Sequence, residues 1–209
     1  MQGKTMSVVV FGLVVLLGLS HGARGETYEL RSPDGTVGVR VEVGAQVDLT
    51  LLVDGKAVGE VTGVALAIAD RGVLGASARV ARVNHGRVLR KVRPAIHEKC
   101  AAIDERYNEL TLVFEKDFAL AFRAYHNGVA YRFSTSLVGE VVVDGEHGRF
   151  AFGEGASIVT QIEKGFRSSY EEPYSTGAID GLTSEDLCCL PALVIPARGP
   201  KVLVTESDL

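Results

Sequence analysis

The chain has 209 residues, with 22 Lys and Arg against 26 Asp and Glu, giving a formal net charge of −4. That acidic balance argues against nucleic acid as a partner. Three cysteines, Cys100, Cys188 and Cys189, are too few and too unevenly spaced for a disulfide framework or a zinc site.

Met1–Gly25 reads as an export signal. Lys4 supplies the positive start, Met6–Leu19 is apolar but shorter than the roughly 20 residues of a spanning helix, and Ala23-Arg24-Gly25 has the small-x-small form of a cleavage site. An uncleaved N-terminal anchor is the alternative. Cleavage leaves Glu26 first, in a chain of 20 basic and 26 acidic residues with a net charge of −6. The expectation is a single domain over residues 26–209, exported to the periplasm or beyond, with no membrane attachment after cleavage.

From Thr36 the residues alternate, with Val37, Val39, Val41 and Val43 on one side and Gly38, Arg40 and Glu42 on the other, the period-two pattern of a half-buried strand. Val47, Leu49, Leu51 and Val53 repeat it, and Asp54-Gly55 then supplies a hairpin turn. Val61–Ala69 is a further expected strand, whereas Gly72–Gly86 carries too little pattern for an assignment. Glu109–Phe114, Phe118–Tyr125, Val129–Ser134, Val141–Val143, Arg149–Phe152 and Lys201–Thr205 complete the series, with turns at Asn127-Gly128 and Asp144-Gly145. No segment holds a helical period for long. Short strands at this spacing predict an all-β sandwich or barrel.

Within the second half, Phe122 and Ala124 fall on one face of their strand and Arg123 and Tyr125 on the other. Arg123 and Arg132, on paired strands, form either a solvated face or a grip on an acidic group. His85, His97, His126 and His147 lie far apart and read as surface residues beside turns or strand ends. The three cysteines are expected as buried free thiols, with a single bridge from Cys100 to one of the neighbouring pair as the alternative.

No nucleophile elbow, P-loop, dinucleotide fingerprint or paired-histidine metal motif is present. The densest acidic feature is Glu171-Glu172, set between Tyr170 and Tyr174 in SSYEEPYST, residues 168–176. Adjacent residues of an extended chain point to opposite sides, so these two cannot easily serve as a matched acid and base. One of them can still point into a site. Calcium suits hard carboxylate oxygens but takes about six to eight ligands, more than one loop supplies. On residue chemistry alone, an exposed acidic turn is the simpler reading.

Several segments in this order resemble the N-terminal domain of glycoside hydrolase family 97, a family of exported α-glucosidases and α-galactosidases. They are SPDG at 32–35, RYNEL at 106–110, FRAYHNGVAYRF at 122–133, EHGRFAF at 146–152, SYEEPY at 169–174 and VTESDL at 204–209. The resemblance implies a large antiparallel β-sandwich, similar to the galactose-mutarotase supersandwich, packed against a (β/α)8 barrel that carries the catalytic carboxylates. It also implies that the sandwich lends one glutamate from an aromatic-rich loop to a calcium ion whose other ligands come from the barrel. Aligned by Tyr174, that glutamate is Glu171, and a one-residue slip would make it Glu172.

With the sequence stopping at Leu209, the resemblance implies no catalysis from these residues alone and weak or absent calcium binding. The implied role is to help bind an α-glucoside or α-galactoside, with an apolar docking patch for the barrel near Phe166–Leu193. A free-standing carbohydrate-binding or structural sandwich is the alternative.

Overall fold

A computed structural model describes residues 25–96 and 99–206. The chain opens as an antiparallel meander: β1 (Glu26–Arg31), β2 (Val37–Val43), β3 (Val47–Val53) and β4 (Lys56–Ile68), with the short β5 (Gly72–Leu74) against the far end of β4. A second antiparallel sheet follows from β6 (Val80–Val92), β7 (Ile103–Phe114), β8 (Phe118–Tyr125) and β9 (Gly128–Thr135), in that order across the sheet. β10 (Val143–Ala151) then returns to pair with β4 in the first sheet.

The two sheets face each other as a sandwich, as the strand spacing predicts. β1 lies over β7 and β8, and β2 over β8 and β9. The alternation in β2 and β3 places Val39, Val41, Val43 and Val47 in the interior, where they meet Leu110, Leu112, Leu120 and Phe122 of the second sheet. Burying a side chain of this kind contributes roughly 1.5–3 kcal/mol. Phe114 and Phe118 stack at 4.3 Å between ring centroids, closing the end of the core where β7 turns into β8.

Local turn chemistry sets the register. Val53 pairs with Lys56, so Asp54 and Gly55 are the two loop residues, and both have positive φ, at 50° and 76°. This is the backbone that an Asp-Gly hairpin favours. The turn expected at Asn127-Gly128 lies one residue earlier. Tyr125 pairs with Gly128, which makes His126 and Asn127 the loop and Gly128 the first residue of β9.

The Asp144-Gly145 turn is absent as such. Both residues lie inside β10, where the register to β4 shifts between Val143 and Gly145 and again between His147 and Arg149. The glycines at 145 and 148 thus accompany bulges in one long strand, a usual place for glycine within a sheet. Val141–Val143 and Arg149–Phe152 are accordingly joined as β10 and its approach, not separate strands.

Gly72–Gly86, unassigned from sequence, contributes β5 and half of β6. β6 shows no alternation because it is a sheet edge, exposed along nearly its whole length. It carries Arg82, Arg87, Arg90 and Lys91 and no acidic residue. His85 in β6 and His147 in β10 are exposed mid-strand positions, not strand ends, whereas His97 lies outside the described residues.

The last quarter forms smaller sheets. β11 (Ser157–Thr160), β12 (Ile162–Glu163), β13 (Ser175–Ala178), a single 3-10 turn at Ile179–Gly181, β14 (Leu187–Cys188), β15 (Ala192–Ile195) and β16 (Val202–Val204) follow one another along the chain. Four of them assemble in the order β13-β11-β15-β16, and β12 pairs with β14. The expected strand at Lys201–Thr205 is β16. Phe152, the residue after β10, rests on Gly59 of β4, where a Cβ would come within 2.9 Å of its ring.

All three cysteines are free, but the expected burial fails: Cys100 is exposed, and Cys188 and Cys189 are half-buried. The segment around Cys100 joins two strands that project into solvent, and β14 belongs to a two-stranded sheet too small to bury its own residues.

Candidate functional site

The Glu171-Glu172 pair lies on the loop that joins β12 to β13. The base of that loop is pinned. Thr160 is fully buried and its Oγ1 donates to the Cys189 carbonyl at 2.9 Å, while the Cys189 N–H donates to the Gln161 carbonyl at 2.8 Å. Ser175 Oγ closes the other side by donating to the Thr160 carbonyl at 3.3 Å. Beside these, Glu163 is buried, at 4% exposure, and accepts from Gln161 Nε2 at 2.6 Å. Nothing in the sequence singles out this carboxylate, a lone acid in a segment without a clear period.

Above that base the loop turns back on itself. Tyr170 has φ of +54°, an uncommon conformation for a bulky side chain. Its N–H donates to Ser168 Oγ at 3.3 Å and its hydroxyl donates to the Phe166 carbonyl at 2.9 Å, which hold the turn. Strained positions of this kind concentrate at functional sites.

The aromatic rings of the loop are open to solvent, Phe166 at 82% and Tyr174 at 58% exposure, with Tyr170, Ile162 and Leu190 also exposed. Phe166, Tyr170 and Tyr174 thus expose their rings at or near the start of the stretch where the resemblance implies a docking patch. Glu171 and Glu172 are both exposed. Glu172 Oε1 approaches Lys164 Nζ to 3.9 Å, whereas Glu171 makes no ion pair or side-chain hydrogen bond among the described residues. No group of three or more His, Cys, Asp or Glu that could hold a metal occurs among the described residues. The described residues thus bring one or two carboxylates to this loop and no further ligand group around them.

Arg123 and Arg132 part company. Arg123 grips an acid, its Nε donating to Glu109 Oε2 at 2.8 Å, and its guanidinium carbon lies 4.5 Å from the centroid of the Tyr107 ring. Hydrogen bonding to Glu109 holds the guanidinium firmly in its charged form. Arg132 is exposed and solvated. Beside it on β9, Tyr131 donates its hydroxyl to Glu146 Oε1 at 2.6 Å, and burial first, then that hydrogen bond, pushes the phenol well above its ordinary range.

A family model described as Glycosyl-hydrolase 97 N-terminal matches residues 30–209. The chain is 28% identical over 206 residues to a retaining alpha-galactosidase of Bacteroides thetaiotaomicron, covering 94% of this chain and 31% of the relative. Among solved structures it is similar to a beta-arabinopyranosidase, with a TM-score of 0.76 and 20% identity over 87% of this chain and 32% of that one. It is also similar to a glycoside hydrolase family 97 enzyme from Pseudoalteromonas sp. strain K8, solved with acarbose, at a TM-score of 0.70 and 16% identity over 81% of this chain and 27% of that one. A variant of that enzyme was solved with panose. At these identities the structural likeness shows the fold. The chain spans about a third of the length of the relatives it matches.

Proposed function

Because the chain belongs to the glycosyl-hydrolase 97 N-terminal family, we propose that it is the β-sandwich domain of a larger exported hydrolase of α-glucosides or α-galactosides. In this reading the sandwich walls one side of the active site and leaves the chemistry to a (β/α)8 barrel. The observation that carries it is the loop of Phe166–Tyr174: exposed aromatic side chains around two carboxylates, set on a hydrogen-bonded base. Monomeric surfaces seldom leave such rings uncovered without a partner for them.

Glu171 is the residue this domain would hold toward a shared calcium ion, with Glu172 in its place if the register differs by one. Among the described residues no cation pairs with Glu171, whereas Lys164 stands beside Glu172, which favours that assignment. A hard carboxylate donor fits calcium, but a calcium shell of about six to eight oxygens needs ligands from another domain. When bound, calcium supplies electrophilic polarisation of the glycosidic oxygen. Export rests on the Met1–Gly25 segment, nearly all of which lies outside the described residues. No helix among the described residues is long and apolar enough to cross a membrane.

Sequencing the genomic DNA downstream of codon 209 tests the domain reading. The expected result is an open frame continuing into a barrel with acidic residues at its strand ends. A stop codon followed by unrelated sequence would overturn it and favour a free-standing carbohydrate-binding or structural sandwich.

A further inference from the structure

We propose that the free edge of β6 takes up an extended acidic segment of a partner protein as an added antiparallel strand. β6 runs for 13 residues at the margin of the second sheet, pairs with β7 alone and is exposed along nearly its whole length. Its register to β7 is unbroken from Arg82 to Val92, and it contains no proline. Every second residue of such a strand directs its N–H and C=O outward, where another strand can pair with them.

Natural edges are closed to pairing by shortness, proline, bulges or charge, and over this stretch β6 uses charge alone. That charge has one sign. β6 carries Arg82, Arg87, Arg90 and Lys91 and no acid. Glu105 and Asp104 of β7 answer Arg90 and Lys91, whereas Arg82 and Arg87 make no ion pair among the described residues. Asp34 lines the concavity beside Arg87 but lies beyond ion-pair distance of it, fixed by Ser32 Oγ at 2.5 Å and the Thr36 N–H at 3.2 Å. With three acids and one arginine on β7, the two strands keep a surplus of two positive charges. An edge of one sign repels basic strands and accepts acidic ones, so the same residues give it a preference. Main-chain bonds supply the affinity of an added strand, and acids directly opposite Arg82 and Arg87 lie within reach of the guanidinium groups.

The segment belongs to a separate polypeptide. Residues 1–25 of this chain carry Lys4 and Arg24 and no acid. In a second copy, β1 has Glu26 engaged by Tyr28 and Glu29 by Arg31 and Arg40, β10 is bulged twice, and β9, β13 and β16 hold no acid. The Phe166–Tyr174 loop, which the domain reading turns toward the barrel, joins strands of the last quarter and not of this sheet. The choice of a separate protein rests on that reading, and the strand pairing does not.

The test is titration of the isotope-labelled 209-residue chain with an end-capped peptide made to lie along Arg82–Val92. It has glutamate opposite Arg82 and Arg87, valine opposite Val83 and Val88, and threonine elsewhere. Saturable binding should slow amide exchange at alternate residues of β6, those whose N–H groups face outward. R82Q and R87Q should each weaken binding about two- to fivefold and leave the fold intact, because both side chains are exposed. N-methylation of one alternate set of peptide amides should abolish binding, and of the other set should not, an outcome that charge attraction alone does not produce. Equal affinity of a peptide with lysine in place of glutamate, or full affinity in both arginine variants, would overturn the acidic preference. Absence of saturable binding, or protection without a two-residue period, would overturn the strand pairing. Self-association of the free chain that protects the same amides would overturn the separate partner. So would their protection, without peptide, in the gene product read through to its stop codon. The downstream sequence bears on the barrel alone, so failure here is distinguishable from failure of the domain reading.

Discussion

Arg123 lies with its guanidinium carbon 4.5 Å from the centre of the Tyr107 ring, and this contact seals an aromatic side chain on the outer face of the second sheet. Tyr107 is only 3% exposed, although its neighbours Leu110 and Leu112 point the opposite way, into the core. Tyr125 covers the ring from another side at 5.0 Å. Arg123→Ala should therefore destabilise the domain by about 1–2 kcal/mol, and Arg123→Lys by less, since an ammonium keeps the charge but not the flat stacking surface. Urea unfolding of the two variants measures this, and equal stability of R123A and the parent would refute it.

Phe122 is fully buried where the two sheets meet, near Tyr131 at 6.4 Å between ring centroids. Phe122→Ala removes a large ring from a site that two rigid sheets cannot close. The expected loss is about 3–5 kcal/mol, read as a lower urea midpoint.

Tyr131 gives the domain an alkaline limit. Its phenol is raised in the folded state by burial and by the hydrogen bond to Glu146, so the folded form holds its proton above the ordinary phenol range. The stability this contributes is fully present below pH about 10 and is lost as pH rises through the folded value, because the unfolded chain then releases the proton first. Tyr131→Phe should cost about 1 kcal/mol near neutral pH and flatten the fall in thermal midpoint above pH about 10. Tyr28, raised to about 12 by burial and by Glu26, retains part of that fall in the variant.

The thiols should separate by reactivity. Cys100 is exposed, whereas burial pushes the Cys188 thiol up. Ellman's reagent at pH about 8 should modify Cys100 first and Cys188 slowly, since the thiolate is the nucleophile. Unfolding in urea should make all three react alike, and a Cys188 as fast as Cys100 in the folded chain would contradict the partial cover that Cys188 has in β14.

Calorimetric titration of this chain with calcium should show no tight site, because one or two loop carboxylates fall short of the roughly six to eight oxygens required. Glu171→Gln should therefore leave the isolated chain unchanged. Saturable tight binding would require a complete ligand set within the domain and would overturn the shared-site reading.

The strands that the sequence made legible are those with one face buried and one exposed. Val37–Val43 alternates because alternate residues meet the core, and Phe118–Tyr125 does so for the same reason. β6 escaped because an edge strand in solvent has no reason to alternate, and the end strands β11–β15 because four residues are too few to display a period. Asp144-Gly145 misled because glycine marks a bulge as readily as a turn, and only the pairing with β4 separates the two.

At the loop, the acidic pair and its tyrosines were visible as letters, and the exposed aromatics appear where the docking patch was expected. The buried Glu163 and the clamp of Thr160 on Cys189 were not, since each depends on residues brought together from distant strands.

The free edge of β6 has one more consequence, for how molecules of this protein meet each other. An exposed strand of this length is a template for pairing with its own copy. An antiparallel match centred on Gly86 would set Arg82 of each molecule against Arg90 of the other, and Arg87 against His85. Arg90 is already paired with Glu105, so the repulsion between two such edges comes from Arg82 and Arg87, which make no ion pair among the described residues, and colloidal behaviour becomes a matter of ionic strength. High salt, which screens those arginines over a few ångströms, is the condition under which these domains would begin to stack edge to edge.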